Sequence, residues 1–553
     1  MLSRESRLVG KGSPFELVET ELSGLTHRTY RHGPKTLNDL YQRSARAPNR
    51  EFLIHGDRRL TNTAVLQQGC ALGRLLNESF HINAGMRVGL LLSNGPEWLV
   101  GFIAITSIGA IAVALPVQAD LTETITALEC TNCSLVIAAR EAASQLADAG
   151  YRGSVIGVNE KLEGDASSAF PFALNGSTSA TVHTAAIDPE QLALIAFTSG
   201  STGLPKGVMI NHRSLMHGIM NMLLGAAMSG GASGPSGKPS GPGAVPTSLL
   251  TAPFSHVSGY THLLLMLFLG GKVVALQDWS PNTALGLIER EAVTSIAGAT
   301  PAMIRQLISS NWAPEMLRSL RSIGIYGVSL VPNLLAEMGS RLPDVTVSTG
   351  YGLTETNGTI CAISGARLTQ RPTSSGKPLP TVDIRIKPGG HGGSELAGEI
   401  LLRGPMLMQG YCGLPGDTPS STAGEWFSTG DFGFIDGEGF VHVTDRAAQV
   451  VVFEGRIISC GAVATSLLDS RLVKDVAVFD GDELHERSRL VVVAVPNGDS
   501  AQSEQLIREK TATITLMDLL EPNIILIDEL PHTVTGKIDR RQLKRQLSAR
   551  RIC

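Results

Sequence analysis

Residues Ala196 to Gly207 read AFTSGSTGLPKG, a stretch dense in groups that hold anions. Glycines let backbone N–H groups approach an anion closely, Ser and Thr hydroxyls donate to it, and Lys206 adds a positive charge. An apolar run, Leu192 to Phe197, leads into the segment. The expected geometry is a buried strand, then a flexible hairpin ending in Pro205–Lys206–Gly207. That describes a cradle for a polyphosphate. It is not a Walker A loop, because no G-x-x-x-x-G-K-[ST] can be threaded through it. Plain surface turns are also rich in Gly and Ser. This run differs from them in its density, its buried leading strand and its terminal Lys.

Three further stretches follow in order: YGLTET from Tyr351, STGD from Ser428 and LPHTVTGKIDR from Leu530. Together with TSGSTGLPKG they resemble the signatures of the adenylate-forming superfamily: acyl- and aryl-CoA synthetases, luciferases and nonribosomal-peptide adenylation domains. The pattern is closest to the acyl- and aryl-CoA synthetases and runs over nearly the whole chain. The resemblance implies an α/β fold. A large N-terminal domain of parallel-sheet αβ layers with a β-rich subdomain would span residues 1–445. A small mobile α+β domain would span 446–553.

The implied reaction joins a carboxylate to the α-phosphorus of ATP, expels pyrophosphate, and passes the acyl group to the thiol of CoA. Both first reactants are anions, so the site must neutralise charge and align attack. By the resemblance, Thr198, Ser199, Ser201, Thr202 and Lys206, with Gly200 and Gly203 between them, hold the β- and γ-phosphates. Glu355 is implied as a Mg2+ ligand, since a bare carboxylate beside phosphates would repel them. Thr354 would offer its hydroxyl to the α-phosphate, and Tyr351, next to Gly352, a flat ring to adenine. Asp431 suits a ribose diol, because a carboxylate accepts from two vicinal hydroxyls. Arg446 would assist on ribose or phosphate. Gly327 would border adenine and the acyl pocket, with Val328 beside it. Lys537 would reach from the small domain to the substrate carboxylate and phosphate.

For the acid itself, His256 in APFSHVSG matches a position that lines the acyl pocket of relatives. Gly259 and Tyr260 are expected to line it as well. Amino-acid-activating relatives place an Asp in this region, and PFSHVS supplies none. The implied substrate is an aliphatic or aromatic carboxylic acid.

The pattern breaks in two places. Relatives carry a Lys or Asp hinge two residues after the Arg of the Asp-Arg pair, where this chain has Ala448. Gly455, which borders the CoA tunnel in relatives, is retained, but Ala462 stands where a Glu is usual. Both departures concern the second half-reaction. Transfer to a carrier protein, an amine or another acceptor is therefore an alternative outcome, and a nucleotide-binding protein without turnover is another. Lys537, Glu355 and Asp431 argue against the latter. A serine hydrolase is excluded by the missing G-x-S-x-G elbow.

Composition agrees. The chain has 553 residues, with 17% charged and a formal net charge of −4. That length holds more than one domain, and no basic surplus points to nucleic acid. Seven cysteines are scattered, and Cys130 and Cys133 form the one C-x-x-C, without a second pair for zinc. So few cysteines suit a reducing cytoplasm. The N-terminus lacks an apolar signal core. Trp98 to Val117 is uncharged and long enough to span a bilayer, but its glycines and β-like end predict a buried helix followed by a buried strand.

The remaining patterning predicts the elements that position these groups. Residues 1 to about 33 read as an irregular leader. Thr36 to Thr61 predicts an amphipathic helix and a hairpin around His55–Gly56–Asp57, and Thr63 to Asn77 a helix. Strands are predicted at Arg87–Leu92, Ser134–Ala139, Leu249–Phe254, Lys272–Leu276, Thr294–Ile296, Ser322–Tyr326 and Thr346–Ser348. Helices are predicted at Pro96–Gly109, Thr122–Glu129, His212–Leu224, Pro281–Glu291 and Pro301–Ser309. This alternation implies βαβ units and a parallel sheet. Ser167 to Ile187 reads as a surface loop and Met228 to Pro246 as a Gly/Ser/Pro insertion. From about Thr381 short alternating strands take over. After Asp445–Arg446 the texture is α+β, closing with a basic helix at Arg540 to Arg550.

Overall fold

Helix starts are fixed by short polar side chains that accept from backbone N–H groups. Thr36, Asp120, Asn211, Ser280 and Thr300 cap the helices Leu37–Ala45, Leu121–Thr131, His212–Met228, Pro281–Arg290 and Pro301–Ser309. Between them, uncharged apolar runs have no polar face to present to water and become central strands. The computed structural model describes residues 4–22, 24–159, 186–199, 205–229, 245–276, 278–327, 330, 332–388, 398–412, 426–446, 450–453, 456–481, 490–498, 500–515, 522–532 and 538–550.

The strands form two large sheets. In the seven-stranded one, Leu192–Ser199, Ile111–Ala114, Arg87–Leu91, Leu135–Ala139 and Val155–Val158 run parallel. Pro205–Asn211 and then Gly410–Cys412 extend it antiparallel at one edge. In the nine-stranded sheet, Thr346–Leu353, Ser322–Tyr326, Ser295–Ala299, Thr247–Leu250, Lys272–Ala275 and Glu51–His55 form the parallel centre. Helices are sandwiched between the two sheets. Pro96–Ser107 is buried along its whole length and Ile111–Ala114 follows as a buried strand, as the sequence predicts. Among the described residues no helix is long and apolar enough to cross a membrane. A four-stranded antiparallel sheet follows: Asp383–Pro388, Gly398–Arg403, Phe427–Ile435 and Val441–Arg446.

Past residue 450 the chain starts a separate sheet of Val473–Asp480, Leu490–Pro496 and Asn523–Leu526. Its apolar cluster, from Val451 to Ile524, contains no residue of the preceding parts.

Several expectations need correction. The leader is not irregular. It holds the helix Arg4–Val9 and a hairpin, Leu17–Leu22 with Leu25–Tyr30. The reason is in LVETEL and LTHRTY, whose alternation buries Tyr30, and the Tyr30 hydroxyl donates to Asn221 Oδ1 at 2.7 Å. The strand beginning at Thr247 stops at Leu250, ahead of Pro253. A helix, Val257–Leu269, follows it; being apolar on nearly every side, it shows no stripe to betray itself. Arg140–Asp148, Val155–Val158 and Pro332–Arg341 are further unpredicted elements. Most of Ser167–Ile187 and of Met228–Pro246 lies outside the described residues.

The edge of the large sheet is locked to the inner helices by an ion pair. Arg58, on the strand Arg58–Thr61, donates to the carboxylate of Glu97, in the first turn of Pro96–Ser107. The two side chains are 10% and 2% exposed. Removing one partner strands the other charge in the interior. Glu97→Ala should lower unfolding stability by about 3–5 kcal/mol, read as an earlier urea transition of the N-terminal part. An unchanged transition would show that water reaches Arg58.

Candidate active site

The hairpin of Leu192–Ser199 and Pro205–Asn211 sets the site. Its register opposes Thr198 to Lys206 and Ser199 to Pro205, so the two ends of the phosphate loop are clamped by ladder hydrogen bonds. Gly200, Ser201, Thr202 and Gly203 lie outside the described residues, as does the side chain of Ser199. Thr198 and Lys206 line a cleft of about 3060 Å³.

A second strand, Gly410–Cys412, pairs along the hairpin, with Val208 opposite Tyr411 and Gly207 opposite Cys412. This pairing delivers Tyr411, a residue the sequence did not single out. The Lys206 ammonium lies 5.3 Å from the centre of the Tyr411 ring, a cation–π contact. The Tyr411 hydroxyl donates to Glu355 Oε1 at 2.8 Å. The backbone of Met408 donates to the Glu355 carbonyl at 2.8 Å. Glu355 is thus held twice, by side chain and by main chain. Its Oε2 has no hydrogen-bond partner among the described residues. A hard carboxylate oxygen at the lip of a phosphate cradle fits Mg2+, which takes one or two carboxylates and completes its shell with phosphates and water.

Glu355 sits in a single tight turn, Thr354–Thr356, that ends at Asn357 with φ 54°. Thr356 takes a backbone hydrogen bond from Leu353 at 2.9 Å and returns one to Gly358 at 2.8 Å. Thr354, 6% exposed, lines the cleft. Gly352 is needed for closeness, since a Cβ there would stand 2.1 Å from the Gly358 carbonyl. Gly327, with φ +78°, also lines the cleft, while Val328 is outside the described residues.

Tyr351 and Asp431 meet. The Tyr351 hydroxyl donates to Asp431 Oδ2 at 2.7 Å in a buried contact. Burial, then the adjacent carboxylate, raises the Tyr351 phenol well above its ordinary range, so it remains a donor. Asp431 is 4% exposed, and its backbone N–H is bonded to Thr429 Oγ1 at 3.0 Å after Gly430 turns at φ +69°. Tyr351 therefore orients Asp431. Arg446 pairs with Asp431 across the sheet, and its side chain is outside the described residues.

On the acid side, His256 caps the helix Val257–Leu269 and lines the cleft. The expectation for its neighbours fails. Tyr260 is fully buried in the core, and a Cβ on Gly259 would come 1.9 Å from the Pro253 carbonyl. Neither borders the cleft. His256 stands outside the helix as its N-cap with extended backbone, so its direction does not carry over to the helical positions 259 and 260, which are packed inward.

Lys537, Gly455 and Ala448 lie outside the described residues. The flanks of the Lys537 segment are placed. His532 and Ile538 form an antiparallel bridge, and both line the cleft. His532 Nε2 lies 3.0 Å from Asp475 Oδ2, which raises the imidazole above its ordinary value. Ala462 also lines the cleft, and the Asn333 backbone donates to Asp469 Oδ1 at 3.3 Å across the two parts.

Known proteins resemble the chain in sequence and in fold. Residues 40–412 match the sequence model of the family described as AMP-binding enzyme. The chain is 26% identical over 533 residues to 4-coumarate–CoA ligase 2 of Oryza sativa subsp. japonica, covering 92% of both. It is 27% identical over 518 residues to a feruloyl-CoA synthase of Amycolatopsis sp, covering 91% of this chain and 97% of that one. Its fold matches the o-succinylbenzoate CoA synthetase from Bacillus subtilis, solved with an acyl-adenylate intermediate, with a TM-score of 0.74, 23% identity, and coverage of 91% and 97%. It also matches the amide bond synthetase McbA from Marinactinospora thermotolerans, with a TM-score of 0.75, 24% identity, and coverage of 93% and 99%.

Tyr411 gives a test of the cradle. Tyr411→Phe keeps the ring beneath Lys206 and removes the hydroxyl on Glu355. A charge-assisted hydrogen bond of this kind is worth about 1.5–3 kcal/mol when intact. The Mg2+ concentration giving half-maximal activity should rise by roughly tenfold, with KM for the acid unchanged. An unaltered Mg2+ dependence would remove Tyr411 from this role.

Proposed function

The chain belongs to the AMP-binding enzyme family, and we propose that it is an AMP-forming acid–CoA ligase acting on an aliphatic or aromatic carboxylic acid. The carboxylate oxygen attacks the α-phosphorus of ATP, the bond to the β-phosphate oxygen breaks, and pyrophosphate leaves. The CoA thiol then attacks the acyl carbonyl, loses its proton, and displaces AMP. The observation that carries this reading is the meeting of Lys206, Tyr411 and Glu355 beside the Tyr351–Asp431 pair on one cleft.

Each group has a task in that sequence. Thr198 and Lys206, with Ser199, Gly200, Ser201, Thr202 and Gly203, bind the β- and γ-phosphates. Asp431 accepts from the ribose hydroxyls, Arg446 assists, and Tyr351, Gly352 and Gly327 border the adenine. Thr354 donates to the α-phosphate. Glu355 holds Mg2+, which when bound offsets phosphate charge and aids departure of pyrophosphate. His256, with Val328, borders the acid. Lys537 neutralises the carboxylate and phosphate as the adenylate forms.

Residues 1–445 form the adenylating domain and 446–553 a small domain turning about Ala448. The separate apolar cluster beyond residue 450 supports that division. Gly455 borders the route of CoA. A cytoplasmic location completes the proposal, and the six free cysteines among the described residues suit it.

Pyrophosphate exchange with a panel of acids tests the first half-reaction, and thioester formation with CoA the second. Simple carboxylic acids should support exchange better than any standard α-amino acid, because the segment PFSHVS around His256 supplies no acidic residue to pair an ammonium. A better signal from an amino acid would overturn the acid class. Ala462, where relatives carry Glu, favours one second reading: transfer of the acyl group to an amine or a carrier-protein thiol. Exchange without thioester formation would establish it.

Lys537→Ala should cut exchange by about 10²–10³-fold while leaving ATP affinity nearly unchanged, since the cation acts chiefly as charge rearranges. Exchange within threefold of wild type would remove Lys537 from the chemistry.

A further inference from the structure

Hydrogen bonds join the turn that carries Glu355 to residues 404–412, the segment that brings Tyr411 to the site. The Met408 N–H and the Tyr411 hydroxyl both donate to Glu355, as described above. A further bond comes from Asn357, whose Nδ2 donates to the Met406 carbonyl at 3.0 Å. Asn357 is fully buried and does not line the cleft. It touches no bound nucleotide, so its influence on the site passes through the groups it holds.

The backbone explains part of this residue's identity. Asn357 ends the turn Thr354–Thr356 at φ 54°, and its N–H donates to the Thr354 carbonyl at 3.1 Å. Gly and Asn enter this left-handed region most readily. Gly would serve the backbone equally well, and it would avoid a cost. Asn357 Oδ1 is buried without a hydrogen-bond partner among the described residues. The amide cannot turn over to relieve this, because its nitrogen faces a carbonyl that only accepts. Nor can the side chain retreat. The helix His212–Met228 backs it, and a Cβ on Gly218 would stand 2.8 Å from the Asn357 Cβ. Backbone conformation therefore does not account for the amide, whereas its donation to Met406 does.

The gripped segment has other anchors, which lead away from Glu355. Arg213 donates to the Pro405 carbonyl, and the Gln409 N–H donates to the Met209 carbonyl at 2.8 Å. Those contacts tie the segment to the hairpin strand Pro205–Asn211 and to the helix after it. Asn357 ties it to the turn of Glu355. The amide thus stands where the Lys206 side of the site is joined to the Glu355 side.

We propose that Asn357 is a positioning residue for the metal site: by holding Met406 it fixes the distance between the turn that carries Glu355 and the strand that carries Tyr411, and so keeps the Glu355 carboxylate aimed at Mg2+. The proposal rests on the reading of Glu355 as the Mg2+ ligand. Loss of the amide leaves the Met408 bond in place, so the turn stays folded. The effect falls on the aim of the carboxylate and spares binding of the acid.

Asn357→Gly keeps the left-handed backbone and removes the amide. The first readout needs no turnover: the rise in unfolding temperature that ATP with Mg2+ gives beyond ATP alone. Wild type should show this rise, and Asn357→Gly should need roughly fivefold more Mg2+ to reach half of it, the worth of one hydrogen bond. Its unfolding temperature without ligand should stay close to wild type, because the orphaned oxygen leaves with the donor. In pyrophosphate exchange the half-saturating Mg2+ should rise by the same factor, with kcat at saturating Mg2+ and KM for the acid unchanged. In a Tyr411→Phe background the substitution should add less than about twofold, since the bond it steadies is already gone. The full effect in that background, or an unchanged Mg2+ dependence of Asn357→Gly, overturns the role of Asn357 while leaving the ligase reading intact. If wild type itself shows no rise that depends on Mg2+, Glu355 loses its metal and this proposal falls with it.

Discussion

The hydrogen bond from Tyr411 to Glu355 joins three stretches that are far apart in the chain. The hairpin around Lys206, the turn Thr354–Thr356 and the strand Gly410–Cys412 meet only because that strand adds itself to the hairpin's edge. The constraint behind it is electrostatic. A carboxylate next to a polyphosphate is repelled unless a cation stands between them, and the cation needs the carboxylate at one fixed point. A floppy Glu would spend its time in solvent. Tyr411 fixes one oxygen, Met408 fixes the main chain, and the same ring holds the Lys206 ammonium from beneath. One aromatic side chain thus sets the spacing of these two opposite charges.

The same site requires backbones to approach more closely than side chains allow. A Cβ on Gly352 would strike the Gly358 carbonyl at 2.1 Å, and one on Gly218 would strike the Asn357 carbonyl at 2.3 Å. Helix His212–Met228 therefore presses directly onto the turn that carries Glu355. Anything larger at Gly218 would push the turn away from the hairpin. Packing and chemistry are coupled here through the absence of side chains, whereas the outer face of the nine-stranded sheet is held in the ordinary way by Ile323, Ile325 and Val347.

Much of this was legible in the sequence, for identifiable reasons. The order of the four motifs names the chemistry, and alternating apolar runs name the parallel sheets. The strand Ser322–Tyr326 falls where the pattern puts it. What escaped did so because its signal lies in tertiary contacts. Tyr411 stands in GYCG, without charge or period, and acquires its role from a partner strand some two hundred residues earlier. The helix Val257–Leu269 is buried on almost every side, so periodicity could not show it, and without the helix boundary nothing separated the buried Tyr260 from the cap residue His256. The N-terminal hairpin was missed because its alternation is half polar, and its anchor is a single buried Tyr30 hydroxyl on Asn221.

The two half-reactions make opposite demands on one cleft. Forming the adenylate gathers negative charge and calls for a cation at the carboxylate. Admitting a thiol calls for room at the same place. Lys206 is poorly suited to both demands, since the hairpin register and the Tyr411 ring hold it in one place. Lys272, also on the cleft wall, is paired with Glu291 at 3.2 Å. The proposed role of Lys537, a cation that comes and goes, would suit a separately packed part of the chain. The bridge between His532 and Ile538, tied down by Asp475, brings such a part to the cleft edge. Because the apolar cluster beyond residue 450 shares no side chain with the core before it, that part can turn without unpacking either one. Charge at the site and independence of the two cores are in this sense the same requirement, met once by electrostatics and once by packing.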